Sequence, residues 1–135
     1  MIYLDSSVVL AELLAESRRP SDRLWRDSLS SSLLLQYEVW NRIHARDLAD
    51  SHGPAVRRLL ARINLAEMTE PILERALEPW PVRIRTLDAL HLATIEFLRG
   101  QGDSVELASY DNRLLAAARG LGCRLLFCDR DVASR

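Results

Sequence analysis

A chain of 135 residues has the length of one domain, able to bury roughly two-thirds of the surface that its unfolded form exposes. Hydrophobic residues at 48%, charged residues at 27% and only five Gly and five Pro exclude the disordered, collagen-like and low-complexity classes. Eighteen basic against nineteen acidic side chains give a net charge of −1, which excludes a histone-like coat protein, so any nucleic acid must be met by a local patch.

Strand-like runs alternate with helical patterns along the whole chain, the pattern of an α/β fold. The first strand is expected at Ile2 to Leu4, and Val9, Leu10, Leu13 and Leu14 predict a helix from Ser6 to about Ser17. Pro20-Ser21-Asp22 can start a second, short helix, and Ser31 to Leu35 reads as a strand leading into a helix from Gln36 to Asp50. Gly53-Pro54 is expected to break the chain there. A helix over Ala55 to Ile63 then leads to a weak strand at Leu65 to Met68. Thr69-Glu70-Pro71 resembles a helix start with Thr as the cap and Pro in the first turn. Pro79-Trp80-Pro81 ends that helix, and Thr86 caps and opens the next, which runs to about Arg99 and is apolar nearly all round. Val105 to Tyr110 reads as a strand, Asn112 to Leu121 as a helix stopped by Gly122, and Arg124 to Phe127 as the last strand. Residues 129–135 read as a frayed tail on a core of about 1–128.

The absence of a signal-like start and of a long uninterrupted apolar run predicts a cytoplasmic protein without a membrane span. Cys123 and Cys128 are separated by an odd number of strand positions and should point to opposite faces as reduced thiols. All eighteen basic residues are Arg, a bias that a GC-rich coding genome explains better than phosphate recognition by planar guanidinium groups. Arg18, Arg19, Arg23 and Arg26 gather around the first two helices, and Arg83 and Arg85 precede the Asp88 helix. Some of these could hold nucleic-acid phosphates, the alternative being a solvated face paired with Glu16, Asp22 and Asp27. Trp40 is expected in the core with Tyr37 and Leu48, which leaves Trp25, between Arg23 and Arg26, as the candidate for stacking on a base.

Asp5 and Asp111 each end a strand and precede a helix, and Asp88 sits in the first turn of the apolar helix. A parallel sheet gathers such positions at one edge, where open α/β sheets bind ligands. Glu38 would join them from the helix after the second strand. Clustered carboxylates repel one another and call for protons or a hard divalent cation. Each acid also has an ordinary reading: an aspartate at a helix start can be a cap, and Glu38 stands four residues before Arg42, the spacing of a surface ion pair.

Four segments together resemble the PIN-domain ribonucleases and, in size and motif order, the VapC toxins of toxin–antitoxin pairs. They are Ile2-Tyr3-Leu4-Asp5-Ser6-Ser7, Gln36-Tyr37-Glu38-Val39-Trp40-Asn41, Thr86-Leu87-Asp88-Ala89-Leu90-His91-Leu92-Ala93 and Ala108-Ser109-Tyr110-Asp111-Asn112-Arg113-Leu114. The resemblance spans nearly the whole chain and implies a single-domain α/β/α sandwich with a mainly parallel central sheet. It implies a Mg²⁺- or Mn²⁺-dependent endoribonuclease in which Asp5, Glu38, Asp88 and Asp111 match the four acidic positions. Asp5, Asp88 and Asp111 would be the metal ligands, with Ser109 in support. Asn112 and Arg113 stand where some members carry a further acid, so one metal is expected in the free protein. His91 could share a metal three residues after Asp88, but the resemblance places it in the signature helix and not among the ligands. A cognate VapB-like antitoxin and a homodimer are the partners implied.

Two other classes compete with this reading. A phosphoryl-transfer enzyme using Asp5 would need a lysine, and the chain has none; its phosphatase version also wants an acid where Ser7 stands. A non-catalytic PIN-like module for binding RNA or protein is the stronger rival, although all four acidic positions are filled.

Overall fold

The computed structural model describes residues 1–126. Among them, five strands form one parallel sheet: β1 (Ile2–Leu4), β2 (Leu29–Ser32), β3 (Asn64–Ala66), β4 (Glu106–Ala108) and β5 (Arg124–Leu125), in the order β3-β2-β1-β4-β5. The helices are α1 (Ser6–Leu13), α2 (Leu34–Ala45), α3 (Ala49–Leu60), α4 (Glu70–Ala76), α5 (Thr86–Gly100) and α6 (Asn112–Gly120). Pairing runs Ile2 with Leu29 on one side of β1 and Ile2 with Glu106 on the other.

The three residues of β1 explain the layering. Ile2 and Leu4 join Val8, Val9, Leu35, Val39, Ile43, Val56 and Leu59 in one core, so α1, α2 and α3 cover that face. Tyr3, pointing the other way, joins Leu92, Ile95, Leu98, Leu107 and Leu114 beneath α5 and α6. Helix α4 packs on α5, where Arg75 pairs with Glu96 at 2.6 Å and stacks on Trp80. The result is the expected α/β/α sandwich. Successive crossovers move outward from β1 through β2 to β3, then return to β4 beside β1. The switch point therefore lies between the C-terminal ends of β1 and β4, which carry Asp5 and Asp111.

Several boundaries differ from the sequence reading. The first helix stops at Leu13 instead of about Ser17 because Ala15 turns left-handed (φ 49°), with Glu16 N–H bonded to the Ala11 carbonyl and Ala15 N–H to that of Glu12. The same closing motif ends α2, where Asp47 has φ 55° and Leu48 N–H reaches the Ile43 carbonyl. The break between α2 and α3 is therefore at Asp47, not at Gly53-Pro54. Both of those residues lie inside α3. Pro54 cannot donate to the Asp50 carbonyl, yet the helix persists with Val56 and Leu59 anchored in the core and buried Gly53 lying under Trp40.

The short helix expected from Pro20 is reduced to one 3₁₀ turn at Leu24–Arg26. Strand β2 begins two residues earlier than expected, its serines buried and Ser31 Oγ donating to the Leu4 carbonyl. Trp25 is buried in the core with its carbonyl held by Arg62, which withdraws it as a base-stacking residue. Trp40 packs against the core edge, stacked by His44, but Tyr37 is 65% exposed and does not share that role. Thr69 precedes α4 as expected, without a side-chain cap bond. Gly122, at φ 75°, closes α6 as expected. Cys123 is buried and free, while Cys128, Phe127 and the 129–135 tail lie outside the described residues.

Candidate active site

Asp5 follows β1 and occupies the capping position of α1, but its side chain makes no cap bond. It is buried, and its Oδ2 accepts from Ser7 Oγ at 2.6 Å and from Ser109 Oγ at 2.8 Å. Each hydroxyl in turn accepts a backbone N–H across the switch point: Tyr110 N–H to Ser7 Oγ at 3.0 Å and Asp111 N–H to Ser109 Oγ at 2.9 Å. A closed ring of hydrogen bonds therefore fixes the Asp5 carboxylate and ties the end of β1 to the end of β4. Ser109 stands where the resemblance placed it. Ser7 does the matching work from the α1 side, a role that the sequence reading did not give it.

Asp111 caps α6, its Oδ1 accepting from Arg113 N–H at 2.9 Å and Leu114 N–H at 3.4 Å. Capping is therefore the correct reading for Asp111 as far as Oδ1 is concerned. Asp88 stands in the first turn of α5, whose capping residue is Arg85 and not Thr86, and the Arg85 side chain makes no cap bond. Partial burial pushes the Asp88 carboxyl above its ordinary range, and the negative charges of Asp111 and Asp5 push it further. A hydrogen bond with the Arg85 backbone opposes this without cancelling it. The three aspartates thus stand close enough on the sheet edge for the charges of Asp111 and Asp5 to act on Asp88.

Glu38 reaches the same place from α2. It does not pair with Arg42: Oε1 lies 2.6 Å from Nε2 of His91, and Oε2 accepts weakly from Ser6 Oγ at 3.5 Å. His91 is 1% exposed, and its Nδ1 lies 2.7 Å from the hydroxyl of Tyr3. Burial works to lower the His91 pKa, but the hydrogen bond and charge of Glu38, with Asp5 and Asp88 behind it, raise it overall. Burial also pushes the Tyr3 phenol far above its usual range, so it stays neutral.

All four acids line one open cleft of about 920 Å³ at the switch point. Arg42, Arg85 and Arg113 line it too, so three arginines border the same cleft as the four acids. Arg83 is not part of this lining. A smaller hollow beside the cleft shares Arg42 and adds Arg18 and Arg46, with the Arg18 guanidinium 4.5 Å above the Tyr110 ring. Among the described residues, no three His, Cys, Asp or Glu side chains are drawn together as a ready-made metal cage. The donor chemistry nevertheless fits a hard divalent cation: oxygen donors only, excess negative charge, and a raised carboxyl whose ionised form a cation would favour.

A doubly wound parallel sheet with acidic side chains at its switch point defines a class, and comparison identifies it. The model of the PIN domain matches residues 2–120, and the chain belongs to the PIN-domain family. Among its relatives, ribonuclease VapC46 of Mycobacterium tuberculosis is 34% identical over 128 residues, covering 93% of this chain and 95% of that protein. Ribonuclease VapC47 of the same species is 30% identical over 129 residues, covering 90% and 93%. The fold is shared with the solved structure of Mycobacterium tuberculosis VapC20, titled a sarcin–ricin loop cleaving toxin, at a TM-score of 0.63 and 20% identity over 87% of this chain and 95% of that one. A toxin–antitoxin complex from Klebsiella pneumoniae gives the same TM-score of 0.63 at 17% identity, over 93% and 96% of the two chains.

Proposed function

We propose that this chain is a divalent-metal-dependent endoribonuclease, using Mg²⁺ or Mn²⁺, and the toxin of a toxin–antitoxin pair. The observation that carries the reading is the meeting of Asp5, Glu38, Asp88 and Asp111 in one cleft at the β1/β4 switch point, flanked by arginines. The relatives named as VapC ribonucleases support it over nearly the full chain.

Asp5, Asp88 and Asp111 would hold one cation. When bound, the ion would offset the carboxylate charge, make a water nucleophilic at neutral pH and stabilise charge on the scissile phosphate. The chain's own residues do the rest. Ser7 and Ser109 hold Asp5 in a single orientation. The Asp111 Oδ1 cap fixes that side chain against α6. Glu38 presents a carboxylate to the cleft from the opposite helical layer. Arg85, Arg42 and Arg113 supply positive charge for the phosphates on either side of the cut. Arg83, outside the lining, has a lesser claim to that role.

The domain would work in the cytoplasm, as a homodimer that a VapB-like antitoxin binds and silences. No helix among the described residues is long and apolar enough to cross a membrane. The test is incubation of antitoxin-free protein with total RNA in Mn²⁺ and in EDTA. Discrete fragments in Mn²⁺ alone are expected. A folded protein that binds Mn²⁺ and leaves the RNA intact would move the assignment to a non-catalytic RNA- or protein-binding PIN domain.

A further inference from the structure

Helix α2 belongs to the core beneath Leu35, Val39 and Ile43, and α5 to the opposite core beneath Leu92, Ile95 and Leu98. The bond between His91 Nε2 and Glu38 Oε1, at 2.6 Å, joins these two layers across the edge of the sheet. Both nitrogens of His91 are engaged, because Tyr3 on the central strand holds Nδ1 at 2.7 Å with the two rings edge to face at 82°. Tyr3 and His91 are buried, and an apolar pair would fill the same space without the desolvation cost of three polar groups. The network has a direction. Glu38 as a carboxylate can only accept, so Nε2 carries a proton, and Nδ1 accepts from the Tyr3 hydroxyl when the imidazole is neutral. Protonation of His91 reverses the Tyr3 bond and leaves the Nε2–H bond to Glu38 in place. Only Oε1 is used by this brace, and Oε2 stays on the cleft side near Ser6.

We infer that His91, seated on Tyr3, is a positioning residue that fixes the Glu38 carboxylate in the cleft and so sets the turnover rate without touching RNA. This rests on the nuclease reading above. Two substitutions separate positioning from packing, since a Gln amide nitrogen can occupy the place of Nε2 and an Asn amide only that of Nδ1. On an oligoribonucleotide spanning a site mapped in the total-RNA digest, His91→Asn should lower kcat by about 10–100-fold with KM changed less than about 2-fold. His91→Gln should recover activity to within about 5-fold of wild type. In metal-free protein, the His91 Nε2 nitrogen resonance should move on Glu38→Gln and hold its position on Arg83→Ala. Equal losses in the Gln and Asn variants, or a loss carried by KM, would overturn the positioning role. An Nε2 resonance indifferent to Glu38→Gln would overturn the brace itself. A wild-type protein that cleaves nothing would instead remove the nuclease reading, and the positioning role with it, while the resonance shift still recorded the contact.

Discussion

Asp88→Asn separates the two roles open to an acid at a helix start. Asparagine keeps the size of the side chain and an oxygen that can accept the Arg85 backbone N–H, so the first turn of α5 loses little. What disappears is one negative charge facing Asp111 and Asp5. Two carboxylates at ~4 Å repel by about 1 kcal/mol in water and by more in a protein interior. Asp88 is only half-buried and Asp111 is exposed, so solvent screening limits the total relief to about 1 kcal/mol. For a chain of this size that is a rise of about 3 °C in Tm. Metal should invert the order. Mn²⁺ at a hundred times its Kd stabilises a binding-competent protein by about 2.7 kcal/mol, or roughly 8 °C, and the variant should gain little of this. The assay is thermal unfolding followed by circular dichroism at pH 7.5, in EDTA and along a Mn²⁺ titration. An Asp88→Asn protein that is less stable in EDTA and responds to Mn²⁺ like wild type would show a plain helix cap and refute the reasoning.

The same charges set a pH dependence. A carboxyl whose folded pKa is raised takes up protons on folding, so wild type should lose stability relative to Asp88→Asn as pH rises from about 3.8 through the raised value, read from metal-free urea melts. His91 has the opposite linkage. Its raised folded pKa contributes stability that is full below about 6.5 and lost as pH rises through the folded value, so His91→Gln should cost more at pH 5.5 than at pH 9. Ser109→Ala and Ser7→Ala each remove a hydroxyl from Asp5 Oδ2, and each should cost about 1–2 kcal/mol in urea melts and lower the Mn²⁺ affinity; unchanged affinity would separate the hydroxyls from the cation. Arg85→Ala should weaken RNA binding and reduce the slope of log K against log salt by about 0.7, whereas Arg83→Ala should leave both unchanged.

The alternation of strand and helix, and the aspartates after β1 and β4, were legible because both follow from local pattern and sheet topology. Helix ends were legible where glycine marked them, as at Gly122. They were hidden where Ala15 and Asp47 adopt the left-handed conformation that normally calls for glycine. Gly53-Pro54 misled for the converse reason: tertiary anchoring of Val56 and Leu59 overrides a local breaker. Within the site, spacing along α2 pointed Glu38 to Arg42, and no local rule could show that a histidine 53 residues later claims it. The one available signal was a histidine in an otherwise apolar helix, which needs polar partners once buried. Arg42 was likewise read only as a partner for Glu38; freed from that pairing, it lines the cleft. Trp25 shows the limit of composition, since its arginine neighbours spoke for RNA while its own side chain was needed in the core.

The central claim is that Asp5, Asp88 and Asp111 form one cation-binding nuclease centre at the β1/β4 switch point. Anomalous scattering from crystals soaked in Mn²⁺ tests it most directly. A single strong peak in contact with those three carboxylates, absent from Asp88→Asn crystals soaked alongside, is the predicted result. A peak held by other residues, or none at a Mn²⁺ concentration that supports RNA cleavage, would contradict the account.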